Sequence, residues 1–240
     1  MSQTKNRWQL AQDYEKDWWV SRAEELDLEF YERFASDLLE TMKPFQSISE
    51  ETYILEIGSG AAGILTYLKS NHRFAIDPLE SVYASIGKFA SARDKSVVYK
   101  EAMAEKLPFE DNLFDLIIID NVLDHCEEPK KVLAEMNRVM KKNGKIYFRQ
   151  NTYHAWGKFV RKLIEFFKID RGHPHTFTKS ELKKLFSKNC FEILHTQRNG
   201  YYRTWIKEFK SRRLYDKIKA LIFATRDKTL YVLNKKESVA

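Results

Sequence analysis

The residues with chemical potential begin with a glycine run and two carboxylates. Gly58-Ser59-Gly60-Ala61-Ala62-Gly63 satisfies G-x-G-x-x-G, and Asp77 follows at about the spacing of a ribose-binding acid. Glycines let backbone approach a ligand closely, a helix N-terminus offers N–H groups to an anion, and a carboxylate at a strand tip accepts ribose hydroxyls. This pattern describes a nucleoside site but leaves its ligand open: a dinucleotide enzyme is one reading, and glycines that merely turn the chain are another. Glu56, two positions before the first glycine, narrows the choice. A pyrophosphate would be repelled by a carboxylate there, whereas a cation would be attracted.

Histidines supply the candidates for acid–base work, because imidazole titrates near neutrality. His125 follows an apolar stretch, His154 lies just past another, and His173-Pro-His175 precedes a late helix. These places fall at the carboxyl ends of strands, where open α/β sheets bind ligands. His173 and His175 could also pair on a metal, but no further ligand cluster accompanies them, so no metal is expected. Cys126 and Cys190 belong to no CxxC or Cys/His array and suggest neither a disulfide nor zinc.

Positioning these groups requires a scaffold, and the chain alternates strand and helix. Thr52–Ile57, Arg73–Asp77, Ser96–Tyr99, Phe114–Ile119 and Lys145–Arg149 read as strands. Between them, helices are expected over Ala61–Lys69, Glu80–Ala92, and from Pro129 to a turn at Asn143-Gly144. Such alternation with solidly apolar central strands implies a mostly parallel sheet covered on both faces. Apolar residues at helical spacing between Trp8 and Met42 predict two leading helices, with Tyr14, Trp18 and Trp19 assigned to core packing ahead of the alternative, a ligand cage. Later, Trp156–Lys168 reads as an amphipathic helix and Thr178-x-x-Glu181 as a capping box; Phe191–Thr196 and Thr229–Leu233 read as strands around a basic, aromatic segment, Tyr201–Arg226.

Bulk properties bound the function. A hydrophobic fraction of 43% with 14% aromatics is that of a folded chain. The 240 residues fit one α/β domain, divided as an N-terminal helical cap (1–50), a cofactor-binding core (51–152) and lid helices with late strands (153–240). Lys and Arg number 41 against 34 Asp and Glu, a formal +7 that favours an anionic partner without naming it. The N-terminus lacks the apolar core of a signal peptide, and no stretch reaches the roughly 20 apolar residues of a membrane span, so a cytoplasmic protein is expected.

Ile54-Leu-Glu-Ile-Gly-Ser-Gly-Ala resembles the first motif of the class I methyltransferases. Two further runs strengthen the likeness: Ala104-Glu-Lys-Leu-Pro-Phe-Glu-Asp-Asn-Leu-Phe-Asp115, and then Asn121-Val-Leu-Asp-His-Cys-Glu-Glu-Pro129 with Arg138-Val-Met-Lys-Lys-Asn-Gly144. Together they look like the "AE-x-LPF" small-molecule type, over about residues 52–150. The resemblance implies a Rossmann-like, mostly parallel seven-stranded sheet with helices on both faces, here with N-terminal helices and a helical insertion near the C-terminus. It also implies S-adenosylmethionine as cofactor, whose ammonium and sulfonium suit acidic surroundings, and S-adenosylhomocysteine as product.

Carried over by resemblance, Glu56 would bind the methionine ammonium, and Gly58, Ser59 and Gly60 would pass under the methionine portion. Asp77 would hold the ribose, Pro78 or Leu79 would pack on adenine, Ala104 would meet its edge, and Asn121 with Val122 would line the methionine end. Where the family commonly places an aspartate for the adenine amino group this chain has Met103, so either Glu105 takes that contact or stacking holds the base. The expected reaction is in-line methyl transfer, with O-methylation of a small molecule, glycan or lipid-type precursor favoured by the histidines. The alternatives are a non-catalytic cofactor-binding or scaffold protein, an NAD-dependent oxidoreductase and an RNA methyltransferase. Spread basic residues without an RNA-binding module disfavour nucleic acid. The basic, apolar helices near residues 156–168 and 201–226 fit an amphipathic acceptor or peripheral membrane contact, against the plainer reading of a solvated helix face.

Overall fold

The computed structural model describes residues 7–166, 174–198 and 200–236. Two helices lead, α1 (Arg7–Ser21) and α2 (Leu28–Met42), as the periodicity predicts. They bury very differently. In α2, Tyr31, Phe34, Ala35, Leu38 and Met42 recur at three- and four-residue spacing and pack inward, and Asp27 caps the start by accepting the Phe30 N–H at 3.0 Å. In α1 only Ala11 is buried, so this helix lies over the molecule rather than within it.

Strands β1 (Tyr53–Ile57), β2 (His72–Asp77), β3 (Val98–Glu101), β4 (Phe114–Asp120) and β5 (Met140–Tyr153) form a parallel array in the order β3-β2-β1-β4-β5. The two-residue β6 (Phe177–Thr178) extends the end of β5. Beyond β5 come β8 (Asp227–Lys235), antiparallel to both its neighbours, and then β7 (Phe191–Arg198). This is the mostly parallel Rossmann-like sheet expected, with β6 as a small addition.

Three expected helices differ in the structure. Ala61–Lys69 forms no α-helix, only a 3₁₀ turn at Leu65–Tyr67. Gly63 is left-handed at φ +69°, and the Glu56 carboxylate takes the Ile64 N–H that a helix would use, so a tertiary contact displaces the local preference. Glu80–Ala92 breaks into α3 (Glu80–Ser85) and α4 (Gly87–Ser91), because Ile86 is extended at ψ 107°. The helix from Pro129, α5 (Pro129–Val139), stops before Asn143-Gly144, since Met140 already pairs with Phe114 at the start of β5.

After β5 the chain forms α6 (Ala155–Phe166), then α7 (Lys179–Lys188), whose start carries the expected box: Thr178 Oγ1 accepts from Glu181 N at 3.3 Å, and Glu181 Oε2 accepts from Thr178 N at 2.8 Å. Helices α8 (Tyr201–Phe209) and α9 (Leu214–Leu221) fill the connection between β7 and β8. Strand alternation sorts the core onto two faces. Leu55, Ile57, Ile117, Ile119 and Phe148 meet α5 and α7, while Ile54, Leu116, Ile118 and Tyr147 meet α2. Each fully buried side chain of this size contributes roughly 1.5–3 kcal/mol. With β2 on one side of β1 and β4 on the other, sheet growth reverses at β1, and a crevice opens at the carboxyl ends of these strands.

Candidate active site

That crevice is a hollow of about 540 Å³, within the roughly 300–1,000 Å³ of small-molecule sites. Its floor is made by the strand ends and its roof by α1. Glu56 and the turn Gly58-Ser59-Gly60 line it beyond β1, Asp77 and Pro78 beyond β2, Met103-Ala104-Glu105 beyond β3, and Asn121-Val122 beyond β4. Leu79 lines it as well. The structure thus gathers every residue assigned to a cofactor from the sequence around one space.

The glycine turn is held by tight packing. A Cβ on Gly58, at φ +70°, would lie 2.3 Å from Val122 Cγ2, and one on Gly63 would lie 2.7 Å from Glu56 Oε2. Glu56 is buried, and both its oxygens accept the Ile64 N–H, at 3.0 and 3.2 Å. Burial, opposed by those backbone bonds, pushes its carboxyl up from 4.5 to about 8. Asp77 fixes both sides of the crevice: Oδ2 accepts from Gly60 N at 3.0 Å and Oδ1 from Leu79 N at 2.9 Å. Burial raises it from 3.8 to about 6. Two buried carboxyls held away from their ordinary range face the same hollow, an arrangement that a cation would relax.

Arg93, which no local motif signals, replaces the missing helix as the support of the turn. Its guanidinium donates to Ala61 O at 2.8 Å, Gly60 O at 3.0 Å and Glu80 Oε1 at 2.7 Å, and lies over the Tyr99 ring. Three donors in a planar fork suit this task. At β4, Asn121 adopts a left-handed φ of 56°, uncommon for a residue with a side chain. Its Oδ1 accepts from Asn151 N at 3.1 Å and Gln150 Nε2 at 3.2 Å, which turns the donor half of the amide outward from that contact. Glu105 Oε1 accepts the Glu127 and Glu128 N–H groups at 2.7 and 3.1 Å, so one of its oxygens caps the chain entering α5.

Of the four histidines, His125 lines the hollow. Its Nδ1 is 3.8 Å from Glu15 Oε2 and its Nε2 3.9 Å from Asp124 Oδ1. His154 lies elsewhere, with Nε2 2.7 Å from Phe223 O and Nδ1 accepting from Gly157 N at 3.2 Å. His175 is 3.2 Å from Glu127 O through Nε2 and is not among the lining residues, while His173 is outside the described residues. Among the described residues no group of three or more His, Cys, Asp or Glu is placed to hold a metal ion, and no helix is long and apolar enough to cross a membrane.

The roof differs from the packing role assigned to its aromatics. Tyr14 and Trp18 are exposed and line the hollow; Trp19 also lines it while packing edge-on against Tyr83 and Phe89. Trp19 Nε1 donates to Glu15 Oε1 at 2.9 Å, and Glu15 approaches His125, which ties the roof to the far wall. Glu15, Gln12 and Arg226 are lining residues that the sequence reading did not single out. The Glu15/Trp19 pair, four apart on one helix face, was the available signal.

The residues suit S-adenosylmethionine. The buried Ser59 Oγ in the lining has no hydrogen-bond partner among the described residues, the turn brings backbone to the cavity wall, and the charged lining on the strand side is acidic. A diphosphate would meet Glu56 and Asp77 at the strand tips.

Known proteins give the same direction. Residues 55–148 match the family model described as "Methyltransferase domain". A demethylmenaquinone methyltransferase of Renibacterium salmoninarum is 38% identical over 79 residues, 33% of this chain and 33% of that protein. The first curated relatives are matched over only 31–41% of their own lengths. Among solved structures, a Haemonchus contortus phosphoethanolamine N-methyltransferase 2, in complex with phosphomonomethylethanolamine and S-adenosylhomocysteine, aligns with TM-score 0.63 at 14% identity, covering 84% of this chain and 53% of that one. The [4+2]-cyclase SpnF aligns with TM-score 0.65 at 14% identity over 98% of both chains. These structural likenesses establish the fold. Residues 55–148 are therefore similar to a methyltransferase domain, and they lie in a Rossmann-like sheet of order β3-β2-β1-β4-β5-β8-β7.

Proposed function

We propose that this chain is an S-adenosylmethionine-dependent methyltransferase of the small-molecule type, which O-methylates a small molecule, glycan or lipid-type precursor and releases S-adenosylhomocysteine. The observation that carries the reading is the meeting of Glu56, Asp77 and the glycine turn around one hollow, on the segment that matches the methyltransferase family. The product named in the Haemonchus complex supports the cofactor. The compounds named for the relatives, demethylmenaquinone and phosphomonomethylethanolamine, support a small acceptor.

When bound, S-adenosylmethionine supplies a methyl group on a sulfonium, with a neutral thioether as leaving group. Glu56 and the turn would hold the amino-acid end, Asp77 the ribose, and Pro78 with Leu79 the adenine. Met103, Ala104 and Glu105 would border the base, with Glu105 Oε2 left to reach it, while Asn121 and Val122 would line the methionine end. The protein's main contribution is alignment, because an in-line displacement needs the acceptor close and opposite the leaving group. His125 would take the acceptor hydroxyl proton on one ring nitrogen as the new oxygen–carbon bond forms, with a single carboxylate, Glu15 or Asp124, orienting the ring through the N–H of the other nitrogen. The roof helix α1 would exclude water from this exchange.

Thermal shift and calorimetry with S-adenosylmethionine, S-adenosylhomocysteine and NAD test the assignment. Stabilisation by the first two is expected. Stabilisation by NAD alone would overturn it, and tight cofactor binding without turnover on a broad hydroxyl panel would move the assignment to a non-catalytic binding protein.

A further inference from the structure

Helices α6, α8 and α9 present a surface that the methyl-transfer reading does not use. Trp156 and Phe159 of α6, Ile206 and Phe209 of α8, Leu221 at the end of α9 and Phe223 just beyond it are all exposed, by 47–62%. Soluble chains scatter such side chains singly; a cluster marks an interaction site. These belong to one body. Trp156 Nε1 donates to Ile222 O at 2.7 Å, Tyr201 Oη donates to Phe223 O at 3.3 Å, and the Trp205 ring stacks on Phe223 at an interplanar angle of 5°.

The same segment carries a concentrated charge. Residues 201–223 hold Arg203, Lys207, Lys210, Arg212, Arg213, Lys217 and Lys219 against Glu208 and Asp216, a formal +5 within a chain of +7. Both acids are paired with Lys219, Glu208 at 2.8 Å and Asp216 at 3.0 Å, a trio left with one negative charge against the other six cations, so the outward field is positive. A second copy of this face would bring like charge against like. An anionic lipid surface complements both features: aromatic and aliphatic side chains enter the headgroup boundary while Lys and Arg meet phosphate.

We infer that the α6–α8–α9 face docks this protein on an anionic lipid bilayer. The buried pair Ala224-Thr225 connects that face along the chain to Arg226, which lines the hollow. The inference does not depend on which group is methylated, or on catalysis at all.

Co-sedimentation of the full chain with phosphatidylcholine vesicles, with and without phosphatidylglycerol, at 0.1 and 0.5 M NaCl provides the test. Partition into the anionic vesicles in low salt is expected, at least about tenfold weaker for the zwitterionic vesicles or in high salt, because each basic side chain near such a surface contributes about fivefold. Leu214→Glu with Leu221→Glu, at the two ends of α9 and exposed by 72% and 62%, and separately Lys210→Glu with Arg213→Glu, should each lose at least about tenfold while melting like the parent. No partition into anionic vesicles, or equal partition into both kinds, overturns the inference. So does a dimer by light scattering that the leucine pair abolishes, which would give the face to a second copy. The lipid and salt comparison uses the parent protein alone, so a misfolded variant cannot conceal failure.

Discussion

Ionisation of Glu56 should govern how strongly the cofactor binds. Burial lifts this carboxyl from 4.5 to about 8, so at pH 5.5 about one molecule in 300 carries the charge and at pH 7 about one in 11. If the ammonium requires the carboxylate, affinity rises about thirtyfold across that interval. Asp77, raised to about 6, adds about fourfold over the same range. The interval stops below about 7.7, where an α-amino group begins to lose its own proton. Isothermal titration with S-adenosylmethionine, in buffers of different ionisation enthalpy, should show close to one proton released per cofactor bound at pH 7. Glu56→Gln should leave only the Asp77 share, about fourfold. Parent affinity that is level between pH 5.5 and 7, with no proton released, would refute the placement of the ammonium.

The sign for the unliganded fold follows from the same carboxyl. The folded chain holds this proton up to about 8 and the unfolded chain only to about 4.5, so the native state binds more protons between these values. Its contribution to stability therefore falls as pH rises through that window and levels off above it. Melting curves should show the parent losing stability from pH 5 to 8, with a shallower slope in Glu56→Gln, and excess cofactor should restore the loss.

Asp77→Ala should weaken cofactor binding roughly 10- to 100-fold in calorimetry, because it removes a charged acceptor worth about 1.5–3 kcal/mol and frees the Gly60 and Leu79 N–H groups. Gly58→Val should abolish binding, since even its Cβ meets Val122 at 2.3 Å; cofactor-dependent thermal shift checks this. Arg93→Ala should cost about 3–5 kcal/mol in denaturant unfolding by leaving buried Glu80 unpaired, with Arg93→Lys recovering only part. His125→Ala should lower kcat about 10²- to 10⁴-fold with cofactor affinity unchanged, once a hydroxyl acceptor is in hand.

What the sequence revealed, and what it hid, divides by the range of the forces involved. Strands β1 and β4 are continuous apolar runs, and the Thr178–Glu181 box is a contact three residues long, so both were legible from neighbours alone. That the cofactor-side residues would line one hollow was legible because each sits within a few positions of a strand end, where sheet topology leaves little choice of direction. The turn after Gly60 was misjudged for the opposite reason. Ala61–Lys69 has helical propensity, but a carboxylate eight residues back takes the Ile64 N–H, and an arginine more than thirty residues ahead takes the Gly60 and Ala61 carbonyls. Only the folded sheet brings these groups together. The same holds for α1, whose aromatics read as core by type, yet whose face meets a cavity rather than a helix. Residue type fixed where apolar surface would be buried; whether its partner is protein or ligand depends on what the sheet places opposite, and that partner is what substitutions in α1 should perturb.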